Sequence, residues 1–215
     1  MKTLEFKVNF QEGILGTCPA NEDIYRDFIG SKAPDAQSVE EEVAALGVDG
    51  VAEKGMTVFP RNAEGKPFIY DYQIKGFLKD ACKMLKNVPG TEASKLGWYK
   101  SVIDGLVFVS PREIVLDGEL TTCQRPLRAE TMQGPRVALA MSEEVKNASC
   151  EFEVNVLTDK YGKKKKAMGD DSGDTGEVDM IKLIREIMDY GRWRGIGQWR
   201  NSGKGSFLYE ELNCY

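Results

Sequence analysis

The chain has 215 residues, of which 41% are apolar and 29% are charged, and its formal net charge is −5. This is the balance of an ordinary soluble globular protein, and it argues against a protein that coats nucleic acid through bulk charge. No histidine is present, which excludes Ser–His and Cys–His nucleophilic sites and every zinc site that needs a histidine ligand. We expect no metal and no cofactor.

The thiols and the apolar runs of the sequence indicate a cellular compartment. The cysteines are Cys18, Cys82, Cys123, Cys150 and Cys214. Their number is odd and no two form a CxxC pair, so we expect reduced thiols and no disulfide framework. Residues 1–10 lack the apolar run of a signal peptide, and no stretch approaches the roughly 20 apolar residues of a membrane span. The sequence therefore predicts a cytoplasmic protein with no membrane partner.

The first quarter of the chain predicts a strand and two short helices. Apolar residues alternate with polar ones over 4–10, which is the pattern of a half-buried strand. Short helices are expected over 21–29 and 38–46. A further strand is expected over 56–59, with a turn at 62–65.

The clearest helix lies in the middle of the first half. Apolar residues recur from Ile74 to Leu85 at spacings of three and four, with Asp71 as the expected N-cap. After it, a strand pair is predicted over 106–109 and 114–116, interrupted at Ser110–Pro111.

The second half predicts strands, a polar excursion and another helix. Two strands are expected over 136–141 and 150–157, joined by a polar connection. Residues 160–177 hold a lysine run and an acidic run, and we interpret them as a mobile polar insertion. A second amphipathic helix is predicted over 180–191.

The end of the chain predicts a glycine-rich loop and a last strand, over 195–205 and 207–212. Too few strand–helix units are present for a parallel doubly wound sheet. The order favours a single α+β domain over 1–215 with a mainly antiparallel sheet.

The segment RWRGIGQWRNSGKGSF, residues 192–207, carries the strongest functional signal. Glycines let a backbone approach phosphate, arginines bind phosphates in bidentate fashion, and tryptophans stack on bases. The basic residues and glycines are Arg192, Arg194, Arg200, Lys204, Gly195, Gly197, Gly203 and Gly205, with Trp193 and Trp199 among them. The alternative is a tight turn with both tryptophans in the core. A Walker A motif is rejected, because five residues separate Gly197 from Gly203 instead of four.

Two other basic groups are candidates for the same surface. Lys75 is expected near the start of the first long helix, beside free N–H groups that favour an anion. Arg125, Arg128 and Arg136 cluster in a stretch that we interpret as an irregular loop before a strand. For Lys75 the alternative is a solvated side chain on a core helix, and for the arginines a solvated loop.

Taken in order, these segments resemble the RAMP superfamily, the repeat-associated proteins of CRISPR systems. The similarity is greatest to the type III backbone subunits that bind CRISPR RNA. The helix motif (I)PGSSLKGxxR is matched by YDYQIKGFLKDA, and the glycine-rich motif GxGxxxSxGxGxF by GIGQWRNSGKGSF. The middle motif is similar in spacing to RVALAMSEEVKNASCEFEVNV, residues 136–156, although its PxG is missing.

The resemblance implies an RRM-like, ferredoxin-like fold with insertions and a C-terminal glycine-rich loop. It also implies that this loop and the lysine-bearing helix bind single-stranded RNA, with other effector subunits or further copies of the chain as partners. The residues carried over by the motifs are Lys75, Gly195, Gly197, Arg200, Gly203, Lys204 and Gly205. Arg125, Arg128, Arg136, Arg192, Arg194 and Trp199 are added from charge and stacking chemistry.

Three other functions stay open at this point. The chain could be a phage or mobile-element protein that inhibits a host defence complex by mimicking or capping its backbone. It could be an Asp-dependent endoribonuclease, for which Asp35, in the expected loop over 30–37, is the candidate. It could also bind a small nucleotide at the glycine-rich loop. We favour a non-catalytic RNA-binding subunit.

Overall fold

The computed structural model describes residues 1–20, 56–131, 134–162 and 176–215, and within these it describes only the backbone of residues 127–131 and 134–139. The helices expected over 21–29 and 38–46 lie outside the described residues. The described helices are α1 (Asp71–Leu85), α2 (Tyr99–Leu106) and α3 (Met180–Arg194). The described strands are β1 (Lys2–Phe10), β2 (Ile14–Leu15), β3 (Cys18–Pro19), β4 (Thr57–Val58), β5 (Phe68–Tyr70), β6 (Val107–Ser110), β7 (Glu113–Val115), β8 (Asp117–Thr131), β9 (Gly134–Val156), β10 (Lys160–Tyr161), β11 (Val178–Asp179) and β12 (Phe207–Cys214).

The largest sheet among the described residues has eight strands, and its centre is formed by four of them in the order β12–β1–β9–β6. All three pairings among these four strands are antiparallel. In the chain, α1 lies between β1 and β6, and α3 lies between β9 and β12. Numbered by sequence, the four strands stand in the order 4-1-3-2 of a βαββαβ unit. This is the ferredoxin-like arrangement, so the predicted α+β fold class is confirmed.

The core lies between this sheet and the two long helices. Alternate residues of β1 are buried, as the alternation in the sequence predicts. Phe207 of β12 contacts Phe10 and Phe77 edge-on, at ring-centroid distances of 6.1 and 5.3 Å. Gly191 in α3 makes room for the same ring, because an added Cβ would lie 2.1 Å from Phe207. Both helices therefore pack on one face of the sheet.

The largest departure from the expected elements is a long hairpin. Strands β8 and β9 pair from Asp117–Ser149 to Thr131–Gly134, where we predicted an irregular basic loop and two separate strands. Two polar residues of the expected connection are buried here: Ser142, which bonds to Thr57, and Glu144, which bonds to Lys204. Hydrogen-bond partners distant in sequence thus satisfy polar side chains that had led us to expect a loop.

Smaller departures concern pairing and helix ends. The strands expected as a pair at 106–109 and 114–116 belong to different sheets, because β6 pairs with β9 and β7 pairs with β5. Helix α1 begins after Tyr70, which takes the N-cap position expected for Asp71. Helix α2 was not predicted, and α3 continues to Arg194.

The base of the polar insertion is a regular ladder. Strands β10 and β11 pair, and Lys160 lies 2.8 Å from Glu177 across this base. Residues 163–175 of the expected insertion lie outside the described residues. No helix within the described ranges is long and apolar enough to cross a membrane.

Candidate nucleic-acid interface

Two glycines close the glycine-rich loop, residues 195–206, through direct backbone contact. The Ile196 N–H donates to the Gly205 carbonyl at 2.9 Å. A Cβ on Gly205 would lie 1.8 Å from the Ile196 carbonyl oxygen, and one on Gly195 would lie 2.5 Å from the Gly205 carbonyl carbon. Both residues also have positive φ, which is +70° for Gly195 and +74° for Gly205. Loop closure therefore requires glycine at these two positions.

The loop is tied to the turn after β1 and to β9. The Gly205 N–H donates to the Gly13 carbonyl at 2.7 Å. The Lys204 ammonium donates to the Glu12 carbonyl at 2.8 Å and to the Glu144 carboxylate at 2.5 Å. Glu144 is only 3% exposed. Lys204 thus neutralises a buried carboxylate rather than presenting a free charge.

Arg194, the last residue of α3, and Arg200 of the loop share one carboxylate on α1. Arg194 Nε and Arg200 Nη1 lie 3.0 and 2.7 Å from the same oxygen of Asp80. Burial acts to raise the pKa of Asp80, but the hydrogen bonds and positive charges of the two arginines outweigh it, so the pKa lies below its ordinary value. These cations hold the loop against α1.

Arg125 behaves differently, because its guanidinium stacks on an aromatic ring. It is 8% exposed, and its central carbon lies 4.7 Å from the centroid of Trp199. Nη2 donates to Gln198 Oε1 at 3.2 Å, while Nε and Nη1 have no hydrogen-bond partner in the described part of the chain. We call this pair the Trp199 stack.

The Trp199 ring is held at the surface by its own backbone and by its neighbour. Trp199 has a positive φ of 57°, which non-glycine residues seldom adopt, and its side chain is 39% exposed. Gln198 Nε2 donates to the Gly16 carbonyl and to Thr57 Oγ1. An indole fixed over a guanidinium, with part of its surface open to solvent, is suited to stack on an unpaired base.

The other predicted residues are dispersed. Lys75 donates to the Asp104 carbonyl at 3.0 Å and lies 4.8 Å from the centroid of Phe108, so no described contact joins it to the loop. Arg192 lies 5.9 Å from the ring of Trp193, which is 74% exposed and not in the core. The structure thus unites Arg125 with Trp199 and Arg194 with Arg200.

Three predicted residues have no described side chain. Arg128 and Arg136 lie in the hairpin opposite Val137 and Ala129, closer to its tip than Arg125. Asp35 lies outside the described residues. Gly197 and Gly203 belong to the loop and have positive φ, but a Cβ on either would meet nothing closer than 3.6 Å.

The face of the sheet opposite the helices is acidic. RRM domains stack bases on aromatic residues of this face. Here the register places Glu5 beside Glu153, and Lys7 beside Glu151 and Glu210. Carboxylates would repel RNA phosphates, so a nucleic acid is expected at the loop rather than on the open face of the sheet.

Sequence reasoning missed Gln198, Asp80 and Glu144. Asp80 is 114 residues from Arg194 and Glu144 is 60 residues from Lys204, and no local pattern reveals such partners. Gln198 lies inside the glycine-rich motif, but a glutamine at that position did not by itself indicate a role in the site.

No protein-family model and no curated protein matches this chain. Among solved structures, a chain from the cryo-EM structure of the Type III-B Cmr-beta bound to cognate target RNA is similar, with a TM-score of 0.52 and 12% sequence identity. The match covers 100% of this chain and 60% of that one, so this chain spans less than two thirds of the length of its neighbour. The likeness concerns the fold, an α+β domain with a mainly antiparallel sheet.

Proposed function

We propose that the chain is a cytoplasmic RNA-binding protein of the RAMP type, and that it acts as a non-catalytic subunit of a CRISPR-type ribonucleoprotein. The observation that carries this proposal is the Trp199 stack, a buried arginine beneath a partly exposed indole within the glycine-rich loop. The motif order in the sequence and the fold likeness to a Cmr chain support the same proposal.

Base stacking, more than phosphate binding, would supply the contact. Arg194, Arg200 and Lys204 are paired with carboxylates, which reduces the charge they offer to phosphates. An aromatic ring stacks on every base, because each base has a π face, so such a surface tolerates many sequences. A subunit that binds a guide of variable sequence needs this tolerance.

The test is the affinity of purified chain for single-stranded RNA, measured by fluorescence anisotropy at low and at higher salt. Trp199→Ala should weaken binding about tenfold, and Trp199→Phe should retain most of the affinity. Arg125→Met should also weaken binding. It should leave the fold intact, because it removes two buried nitrogens that have no hydrogen-bond partner among the described residues.

The control is Trp98→Ala, another exposed tryptophan. Trp98 is 61% exposed and precedes α2, next to Gly97, whose carbonyl accepts a hydrogen bond from Lys86 at the end of α1. This variant should bind as wild type does. RNA binding that is equal in wild type and Trp199→Ala would contradict the proposed site.

A second candidate is an inhibitor that caps a CRISPR backbone, and the acidic face of the sheet favours it. Glu5, Glu151, Glu153 and Glu210 lie on this face, where they could contact a basic protein surface. This function predicts a chain that purifies free of RNA and lowers target cleavage by a type III effector complex in a reconstituted assay. Bound RNA together with unchanged cleavage would reject it.

A further inference from the structure

Strand β12 is an edge of the eight-stranded sheet, and within the described ranges it pairs only with β1. The Ser206 carbonyl accepts from the Gln11 N–H at 2.8 Å, so the backbone groups of Ser206 face β1. Because these groups alternate in direction along a strand, those of Tyr209 and Glu211 point away from the sheet. An outer row of such N–H and C=O groups can accept a further strand.

Only the first part of this edge is regular. The pairing of β12 with β1 is in register from Phe207 to Glu211 and shifts by one residue beyond Glu211. A bulge of this kind disrupts the ladder and protects the far end of an edge strand. The regular part reads FLYEE and contains no proline or lysine to block pairing. An added strand is therefore expected along Phe207–Glu211.

A groove runs beside this edge on the helix side of the sheet. It has a volume of about 300 Å³ and lies between α3 and β12. Trp193 lines it and is 74% exposed, so most of an indole is open to solvent there. The other lining residues used here are Met188, Asp189, Arg192 and Tyr209. Asp189 and Arg192 carry opposite charges, which leaves the groove suited to apolar side chains.

The other side of the edge is acidic and carries an exposed leucine. Leu208 and Glu210 alternate with the inward-facing residues of β12, so they lie on the face of the sheet opposite the helices. Glu210 lies opposite Lys7 of β1, but the Lys7 ammonium is 3.1 Å from Glu151. Glu5 lies on the same face. One lysine thus stands among several carboxylates, and a basic side chain would be attracted to this side.

The two sides of the edge select different side chains from one added strand. Successive side chains of a strand point to opposite faces of the sheet. Apolar ones would enter the groove beside Trp193 and Met188. Basic ones would reach Glu210, with their aliphatic stems covering Leu208. The fitting segment therefore alternates apolar residues with lysine or arginine.

A second copy of β12 does not meet this requirement. Its sequence FLYEELNC contains two glutamates and no lysine or arginine. Pairing two copies would add negative charge beside a face that is already acidic, in any register. The charge complementarity thus favours a different protein.

We propose that the outer edge of β12 binds an extended segment of a partner protein in which apolar residues alternate with lysine or arginine. Backbone pairing with Tyr209 and Glu211 supplies affinity, and the groove and the acidic face supply specificity. This inference does not depend on RNA binding, because it uses no residue of the Trp199 stack. It is compatible with either function considered above.

The experiment measures the binding of labelled peptides to the full chain by fluorescence anisotropy. The probe is a peptide of alternating valine and lysine. One comparison peptide has glutamate in place of lysine, and another keeps the composition but groups the valines and the lysines in two blocks. Both should bind at least about tenfold more weakly than the probe, because one reverses the charge and the other loses the alternation.

Two substitutions locate the site on the chain. Trp193→Ala removes an exposed ring from the groove and should weaken binding of the probe about tenfold. Glu210→Lys should weaken binding of the probe and strengthen binding of the valine–glutamate peptide. The matched controls are Trp98→Ala and Glu119→Lys, which change an exposed tryptophan and an exposed glutamate on other elements. Both controls should bind the probe as wild type does.

Amide hydrogen exchange, followed by NMR, separates strand pairing from simple charge attraction. With the probe bound, the exchange of the Tyr209 and Glu211 amides should slow, because their N–H groups gain acceptors. The Leu208 and Glu210 amides face β1 and should change little. Binding of the probe without this alternating protection would overturn the pairing.

The outcomes also separate this inference from the proposed function. If wild type does not bind the probe, or binds the block peptide equally well, the edge site is overturned and RNA binding is unaffected. If Trp193→Ala and Glu210→Lys bind the probe as the controls do, the site is equally overturned. If wild type binds the probe and no RNA, the proposed function fails and the edge site stands.

Discussion

Positively charged residues serve two different purposes in two regions of this molecule. At the glycine-rich loop, Arg194 at the end of α3 and the loop residues Arg200 and Lys204 are paired with Asp80 and Glu144. In the Trp199 stack, the guanidinium of Arg125 lies on an aromatic ring that extends to the surface. The first arrangement holds the loop in place, and the second orients a ring toward solvent. A basic residue in a motif is thus not by itself a phosphate ligand.

The largest effect is expected from replacing a glycine that closes the loop. Gly205→Ala would place a Cβ 1.8 Å from the Ile196 carbonyl oxygen at a φ of +74°. We expect a loss of at least about 4 kcal/mol in the free energy of unfolding, measured by urea denaturation.

The matched control for this variant is Gly203→Ala. It has a similar φ of +90°, but its nearest neighbour is the Glu12 side chain at 3.6 Å. Only backbone strain should act there, and the expected loss is about 1 kcal/mol. Equal losses of unfolding free energy in the two variants would show that the close contact between Ile196 and Gly205 does not determine the conformation of the loop.

A smaller effect is expected at Lys204. Lys204→Ala leaves the buried Glu144 carboxylate without its cation, so we expect about 3 kcal/mol of destabilisation in the same assay. Adding Glu144→Gln should restore part of this loss, because the amide is neutral. If Lys204→Ala kept full stability and lost RNA binding, Lys204 would be an RNA ligand, as the motif predicted.

The smallest effect on stability is expected at Asp80. Asp80→Asn removes the carboxylate between Arg194 and Arg200 and should cost about 1 kcal/mol near neutral pH. The pKa of this carboxyl in the folded chain lies below its ordinary value of 3.8, so its contribution is present above that pH. It is lost as the pH falls through the folded-state pKa.

Urea denaturation at several pH values tests this sign. The gap in unfolding free energy between wild type and Asp80→Asn should be largest near neutral pH and should close in acid. RNA affinity should not fall, because the substitution frees two arginines and removes a negative charge. A clear loss of RNA affinity in a folded Asp80→Asn chain would contradict the claim that Arg194 and Arg200 hold the loop while the Trp199 stack binds the RNA.

Periodicity in the sequence predicted the elements that form the core. The alternation of Leu4, Phe6, Val8 and Phe10 and the apolar stripes of α1 and α3 each report burial on one face, which is a local property. The long hairpin was missed because β8 and β9 include exposed or polar stretches whose order depends on cross-strand pairing.

The candidate site was predicted in part. The glycine-rich motif located the loop and Trp199, and charge located Arg125. Their contact could not be predicted, because it joins a hairpin strand to a loop 74 positions further along the chain. The partners Asp80 and Glu144 come from tertiary packing. The motif located this part of the surface, and tertiary packing determines which side chains are exposed there.

The most direct test of the account is a map of where RNA contacts the chain, obtained by ultraviolet cross-linking and mass spectrometry of the wild-type complex. A cross-link at Trp199 is predicted, with none on the acidic face of the sheet around Glu5 and Glu153. Cross-links confined to that face, or to β12, would contradict the claim that the Trp199 stack binds the RNA.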